Sequence, residues 1–174
     1  AGGEVSDIRK VVSPVMVNDK KSTFYHIDFS FDELRLGGSA FAQSQGYVGS
    51  DVPTVKNPDY FRDAFNAVQT LINKGLILAG HDISAGGLIT TLLEMTFANT
   101  EGGIDVCLDK FKTDDLVRVL FAENPGVVVQ IADADKKEFK KILDEVGVGY
   151  VKIGTPAEER QIMVTLGEAT YQFG

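Results

Sequence analysis

Residues 76–97 set the tightest limit on how this chain can fold. Leu76-Ile77-Leu78-Ala79 is an unbroken apolar run that stops at Gly80-His81-Asp82. Leu88, Ile89, Leu92, Leu93, Met95 and Thr96 then follow at helical spacing with almost no polar side. A short apolar run of this kind is typical of a strand covered on both faces, and a helix without a polar side lies buried. Both require a layered structure with a sheet inside it. With 174 residues, 44% of them hydrophobic, the chain can bury one such core but not two.

The remaining elements fit that requirement. Val11–Val17 and Phe24–Phe29 read as two strands of a hairpin, with Phe24, His26 and Asp28 on one face of the second. Leu36-Gly37-Gly38-Ser39 leads into a short helical run, Ala40–Gln45, and 46–53 is a loop. Asn57-Pro58 is a helix start, cap followed by proline, and Phe61, Ala64, Phe65, Val68, Leu71 and Ile72 continue at spacings of three and four until Gly75. Ser84 is placed to cap the buried helix. Beyond it the pattern predicts strand 104–108, helix 113–121, a turn at Asn124-Pro125-Gly126, strand 127–132, helix 135–146, strand 149–153 and closing strands over 161–166 and 170–173. The expected class is α/β (α+β): layered helices on a mixed sheet, with handed crossovers between parallel neighbours. The 11 phenylalanines are assigned to the core, and Cys107, between Val106 and Leu108, is read as a buried structural thiol.

Charge and composition exclude several functions. With 25 acidic against 17 basic residues the net charge is −8, and the one dense basic run, Lys136, Lys137, Lys140 and Lys141, reads as the solvated face of a helix. Nucleic-acid binding needs a clustered basic face, so no nucleic-acid partner is expected. No apolar stretch approaches the roughly 18 residues of a membrane helix, so no membrane partner is expected either. A single cysteine cannot form an internal disulfide, and the cytoplasm is the default compartment. The opening Ala1-Gly2-Gly3-Glu4 fits a piece excised from a longer polypeptide, with 1–174 as one domain.

The chemistry concentrates in Leu78-Ala79-Gly80-His81-Asp82-Ile83-Ser84-Ala85-Gly86-Gly87-Leu88. Here polar groups end a buried strand, and two glycines open a buried helix. Unpaired N–H groups at a helix start, with glycines that let a phosphate approach the backbone, suit an anionic ligand. Asp82 would add a hard oxygen donor suited to Mg²⁺ on phosphate, and His81 could orient the loop or touch substrate. The same residues also admit a structural reading, in which Asp82 or Ser84 caps the helix and Gly86 and Gly87 permit close packing. A glycine inside a helix costs about 1 kcal/mol relative to alanine, which calls for a reason but not for a ligand. Gly37, Gly38 and Ser39, beside Arg35, form a second glycine-rich helix start, without the spacing of a P-loop. Glu94 either reaches a polar partner or lies on a narrow exposed edge, with the partner preferred. His26 is read as a sheet residue and Glu123 as a loop charge.

Three blocks carry a resemblance: Arg35-Leu36-Gly37-Gly38-Ser39-Ala40-Phe41-Ala42-Gln43, His81-Asp82-Ile83-Ser84-Ala85-Gly86-Gly87-Leu88, and Leu120-Phe121-Ala122-Glu123-Asn124-Pro125-Gly126-Val127-Val128-Val129-Gln130. In order and spacing, from about Val5 to Val164, the chain resembles the phosphoribosylformylglycinamidine synthase family. More narrowly it is similar to the second C-terminal-type domain of the long, single-chain form, an AIR synthase-related C-terminal domain. The resemblance implies part of an ATP-dependent ligase of purine biosynthesis. Formylglycinamide ribonucleotide, ATP and glutamine become formylglycinamidine ribonucleotide, ADP, phosphate and glutamate. ATP activates the amide oxygen, and ammonia from a glutaminase domain displaces the phosphoryl ester.

Carried over by position, Asp82 matches a Mg²⁺ ligand and Ser84 a nucleotide contact. His81, Gly86 and Gly87 complete that motif, and Gly37, Gly38 and Ser39 are looser candidates for a phosphate pocket. The implied cofactors are Mg²⁺ and ATP or ADP. The implied partners are a preceding nucleotide-binding domain, a sister half and a glutaminase domain of the same polypeptide, together with the small-molecule substrate. Ile83 and Ala85 depart from the commoner His-Asp-Arg-Ser-Asp-Gly-Gly, so contacts made by those charged side chains do not carry over. The fragment alone should lack complete activity and, with its neighbour's patch uncovered, form homodimers or self-associate loosely. A noncatalytic assembly domain holding a structural nucleotide is the alternative. Another superfamily enzyme, such as thiamine monophosphate kinase or selenophosphate synthetase, should lack the Leu-Gly-Gly-Ser-Ala block.

Overall fold

The computed structural model describes residues 5, 7–111, 113 and 115–173; the opening residues 1–4 read above lie outside them. Seven strands form one sheet: β1 (Ser22–Asp28), β2 (Ile77–Asp82), β3 (Gly103–Cys107), β4 (Gly126–Ala132), β5 (Tyr150–Ala157), β6 (Ile162–Leu166) and β7 (Ala169–Phe173). Their spatial order is β2-β4-β1-β5-β3-β6-β7. The helices are α1 (Ala40–Ser44), α2 (Pro58–Asn73), α3 (Gly87–Phe97), α4 (Leu116–Phe121) and α5 (Lys136–Glu145).

Alternation along β1 divides the core. Tyr25 and Ile27 pack with Ala64, Val68 and Leu71 of α2 and Phe139 and Leu143 of α5. Phe24, on the other face, packs with Leu88, Leu92 and Met95 of α3 and Val119 and Leu120 of α4. The sheet is mixed, as expected, but β3 and β6 are the one parallel pair among the described residues, so the expected set of parallel crossovers reduces to one.

Other expectations change. Residues 11–17 form no strand and no hairpin with β1. Pro14 has no N–H to donate to a ladder, and Ser13 Oγ accepts from Val15 N (3.2 Å), which breaks the run. The segment is instead tied at separate points: Gly80 N to Ser13 O (3.0 Å), Met16 N to Met95 O (2.9 Å), and Val17 to the buried amide of Gln130. β2 is an edge strand antiparallel to β4, and Ile77 and Leu78 are only half-buried because one flank of the strand is open.

Cys107 is exposed. In β3, Ile104 and Val106 point into the α3 side while Asp105 and Cys107 point away, and neither α2 nor α5 reaches that half of the sheet. Phe31, Phe65 and Phe97 also leave the core, at 57%, 49% and 66% exposure. The narrow stripe of α2 is filled by Ala64, Ala67, Val68 and Leu71, leaving Phe65 at its margin. The basic run does lie on the outer face of α5.

His26 is a buried sheet residue facing the Phe111 ring at 5.6 Å. Burial pushes its imidazole down to about 4, against a weaker upward pull from the Asp28 carboxylate. The unfolded chain therefore takes up a proton near pH 6.5 that the folded chain refuses until about pH 4. Stability contributed by this site is complete above pH 6.5 and lost as the pH falls to 4, by roughly 2–3 kcal/mol. Urea titrations across this range should show that slope, and His26→Gln should flatten it.

Candidate functional site

β2 ends beside the start of α3. The antiparallel register sets Asp82 opposite Val127 of β4, so the turn that precedes β4 lies next to the segment following Asp82. Ile83 N donates to Gly126 O (2.9 Å), and Thr91 Oγ1 of α3 donates to Asp82 O (3.0 Å). The Asp82 carboxylate itself stands 72% exposed. His81 is turned inward, with Nδ1 2.8 Å from the Asp82 carbonyl and 3.3 Å from its carboxylate, and Nε2 3.1 Å from Glu94 Oε2. Glu94 thus has the polar partner expected of it, and His81 ties the strand end to α3. An apolar groove of about 360 Å³ runs along the open edge of β2, lined by Val12, Pro14, Ile72 and Ile77, with His81 and Asp82 at one end.

Ser84 does not cap α3. The helix starts at Gly87, its cap position is Gly86 at φ +91°, and no side chain accepts there. Ser84 contributes its carbonyl to Gly87 N (3.0 Å) while its side chain faces solvent. The two glycines have packing reasons. A Cβ on Gly87 would meet Leu120 O at 2.7 Å and Phe121 C at 2.8 Å, and one on Gly86 would strike the Thr90 side chain.

The second glycine turn lies against the first. Ser39 is the cap of α1, with Oγ accepting from Ala42 N (3.2 Å) and donating to Leu36 O (2.6 Å). Gly37 N donates to Asp51 O (2.9 Å), Gly38 N to Val48 O (2.6 Å) and Ser39 N to Leu36 O (3.1 Å). A Cβ on Gly37 would lie 2.6 Å from the Asp51 backbone. Phe41 of α1 stacks on Phe121 of α4 at 4.7 Å.

What joins the two turns is a residue that sequence reasoning assigned to a loop. Glu123 Oε1 accepts from both Ala40 N and Gly86 N, each at 2.8 Å. Asn124, buried beside it, accepts from Arg35 N (3.1 Å) and donates to Glu33 O (3.0 Å). The clue lay in the antiparallel partner of β2: once 127 is known to face 82, Glu123 and Asn124 must sit among these loops.

Arg35 is not free to meet an anion. It pairs with Asp32 (Nε–Oδ2 2.9 Å) and with Asp51, and Lys56 also pairs with Asp32. The Asp32 side chain is 1% exposed, and Lys56 first, then Arg35, hold its carboxyl down to about 2. Its contribution to stability is therefore present above pH 4 and lost between about pH 4 and 2, a window separate from that of His26. This cluster pins the irregular segment 45–57 to the loop after β1.

The amides of Gly37, Gly38, Ser39, Ala40, Gly86 and Gly87 are thus all paired within the chain. Those of Ser84 and Ala85 have no acceptor among the described residues, and they flank the exposed hydroxyl of Ser84. No group of three or more His, Cys, Asp or Glu side chains among the described residues could enclose a metal ion. Asp82 alone fits Mg²⁺ of the kind that takes one or two carboxylates and completes its shell with waters and phosphate oxygens. No helix of the described residues is long and apolar enough to cross a membrane.

Residues 30–167 match the family described as AIR synthase related protein, C-terminal domain. The chain is 34% identical, over 95% of its length, to a probable phosphoribosylformylglycinamidine synthase, chloroplastic/mitochondrial, of Arabidopsis thaliana, and spans 12% of that protein. Its fold matches T. maritima PurL complexed with FGAR, with a TM-score of 0.72 at 15% identity over 95% of this chain and 29% of that one. It also matches E. coli HypE, a hydrogenase maturation protein, with a TM-score of 0.62 at 15% identity over 94% of this chain and 52% of that one. The family match takes in both glycine turns, Glu123 and five of the seven strands, and by it this chain belongs to the AIR synthase related proteins, as their C-terminal domain.

Proposed function

We propose that residues 1–174 form one domain of a phosphoribosylformylglycinamidine synthase, an ATP-dependent carbon–nitrogen ligase of purine biosynthesis, and that the domain contributes contacts to a Mg²⁺-bound nucleotide. The observation that carries the reading is local. An exposed carboxylate, Asp82, is followed by an exposed hydroxyl and two unpaired amides, those of Ser84 and Ala85, on a loop tied down at both ends. When bound, Mg²⁺ offsets phosphate charge. The chain's own part is to present one carboxylate oxygen to the ion through Asp82 and hydrogen-bond donors to phosphate oxygens through Ser84 and Ala85. His81, held by Glu94, fixes the strand end from which Asp82 projects. Gly86 and Gly87, and behind them Gly37, Gly38 and Ser39, keep the loop's backing in place instead of touching the ligand.

The 34% identity to the plant enzyme supports the reaction assigned: formylglycinamide ribonucleotide, ATP and glutamine to the amidine, ADP, phosphate and glutamate. A preceding nucleotide-binding domain, a sister half and a glutaminase domain would complete the enzyme, in the cytoplasm. Exposed Tyr47, Val48 and Val52, at 67%, 65% and 46%, are surface that such a neighbour, or a second copy of the isolated domain, would cover.

The test is calorimetric titration of Mg²⁺-ADP into the polypeptide carrying this chain. Asp82→Ala should raise the dissociation constant at least tenfold, about 1.4 kcal/mol. Unchanged affinity would remove Asp82 from the site. The second reading, an assembly domain around a structural nucleotide, is favoured by the internal pairing of the glycine-turn amides. Under it, Asp82→Ala lowers the melting temperature more than turnover per folded molecule.

A further inference from the structure

The segment from Ile83 to Gly86 is fastened by two tethers that both end on one turn. Ile83 N donates to Gly126 O (2.9 Å) and Gly86 N donates to Glu123 Oε1 (2.8 Å). Between these tethers lie Ser84 and Ala85, and just before the first stands Asp82, held in the β2–β4 ladder. Gly126 offers a backbone carbonyl at the start of β4, which no side-chain substitution removes. The second tether depends on a single side chain. The same oxygen of Glu123 also accepts from Ala40 N (2.8 Å), so the carboxylate fastens the α1 start to the turn before α3. Gly86 sits at φ +91°, a conformation open to many others at glycine, and little besides this bond and Gly87 N to Ser84 O selects it.

From this geometry we propose that Glu123 is a positioning residue for the nucleotide contacts of Ser84 and Ala85. It holds the loop in the shape that sets the Ser84 and Ala85 amides toward the ligand beside the Asp82 carboxylate, without touching that ligand. The proposal rests on the reading of Asp82 and Ser84 given above. Its basis is the acceptor oxygen, not the charge: one oxygen takes both hydrogen bonds, and the amide oxygen of glutamine can do the same. Truncation leaves two N–H groups without their acceptor and one end of the loop free.

The experiment compares Glu123→Gln, Glu123→Ala and Asp82→Ala in the complete polypeptide, measuring Mg²⁺-ADP affinity by calorimetry and amide exchange by mass spectrometry. Glu123→Gln is expected to bind within threefold of wild type with residues 86–87 and 38–42 still protected. Glu123→Ala is expected to bind at least tenfold more weakly, with exchange at both segments at least tenfold faster and β1 and β4 unchanged. If Glu123→Ala does not fold, Glu123→Asp, one methylene short of bridging both amides, should show the same pattern at smaller amplitude.

The proposal is overturned if Glu123→Ala (or Glu123→Asp in its place) loosens the loop but keeps wild-type affinity. It is also overturned if Glu123→Gln loses affinity as fully as Glu123→Ala while the loop stays protected, which would mean the charge acts on the ligand. Wild-type affinity in Asp82→Ala, or no binding by the wild type, overturns the nucleotide reading itself and this proposal with it. A loss in Asp82→Ala alone overturns only the role of Glu123.

Discussion

Gly87→Ala should lower the unfolding free energy by roughly 3–5 kcal/mol. Two costs combine. At φ +74° an L-residue pays about 1–2 kcal/mol in steric strain. The added Cβ would also lie 2.7–2.8 Å from Leu120 O and from Phe121 C and Cα, all backbone atoms at the end of α4. A flexible side-chain tip could swing away, but the α4 backbone cannot, because it is fixed by Val119 and Leu120 in the α3-side core. Gly75→Ala separates the two costs. Gly75 has nearly the same φ, +70°, and open space where its Cβ would go, so it should cost only about 1–2 kcal/mol. Urea midpoints of the two variants give the comparison, and equal losses would show that contact with α4 is not what demands glycine at 87.

Asn124→Ala should cost roughly 2–4 kcal/mol. Its side chain is buried and substitutes for a strand neighbour, accepting from Arg35 N and donating to Glu33 O and, more weakly at 3.3 Å, to Ser30 Oγ. Truncation strands a partly buried donor, Arg35 N, and a partly buried acceptor, Glu33 O, in a loop that has no ladder of its own. The loss should appear as a lower urea midpoint with faster amide exchange confined to residues 30–36. Loss of stability without local loosening would place the role of Asn124 in packing.

Where the signal was local, the sequence could be read closely. Asn57-Pro58 opens α2 as expected, with Asn57 Oδ1 accepting from Tyr60 N at 3.1 Å, because a cap and its helix lie within four residues. Helices α2, α3 and α5 and strands β4 to β6 follow from periodicity for the same reason. Pairing is not local. Residues 11–17 have the composition of a strand, yet β1 spends both edges on β4 and β5, leaving them no ladder to join. Cys107 has apolar neighbours, but its exposure was decided by which helices cover which half of the sheet. At the site, Asp82 and Ser84 stood out because their chemistry sits in one short motif. Glu123 did not, since its meaning depends on two amides 83 and 37 residues away in the chain.

The placement of β1 also governs the order in which this domain can be assembled. Its two ladder partners begin at residues 126 and 150, so the strand nearest the amino terminus of the chain waits for its last third. Pairings over such separations pay a large loop-closure entropy before they return any contact, which makes folding slow. On the ribosome, β1 must leave the exit tunnel as an apolar strand with two unsatisfied edges and stay so until residue 157 has followed. During that interval α2 and α3 have no sheet face to cover. Translation pauses before β5, or truncations that remove it, therefore expose this domain to aggregation that the finished sheet prevents.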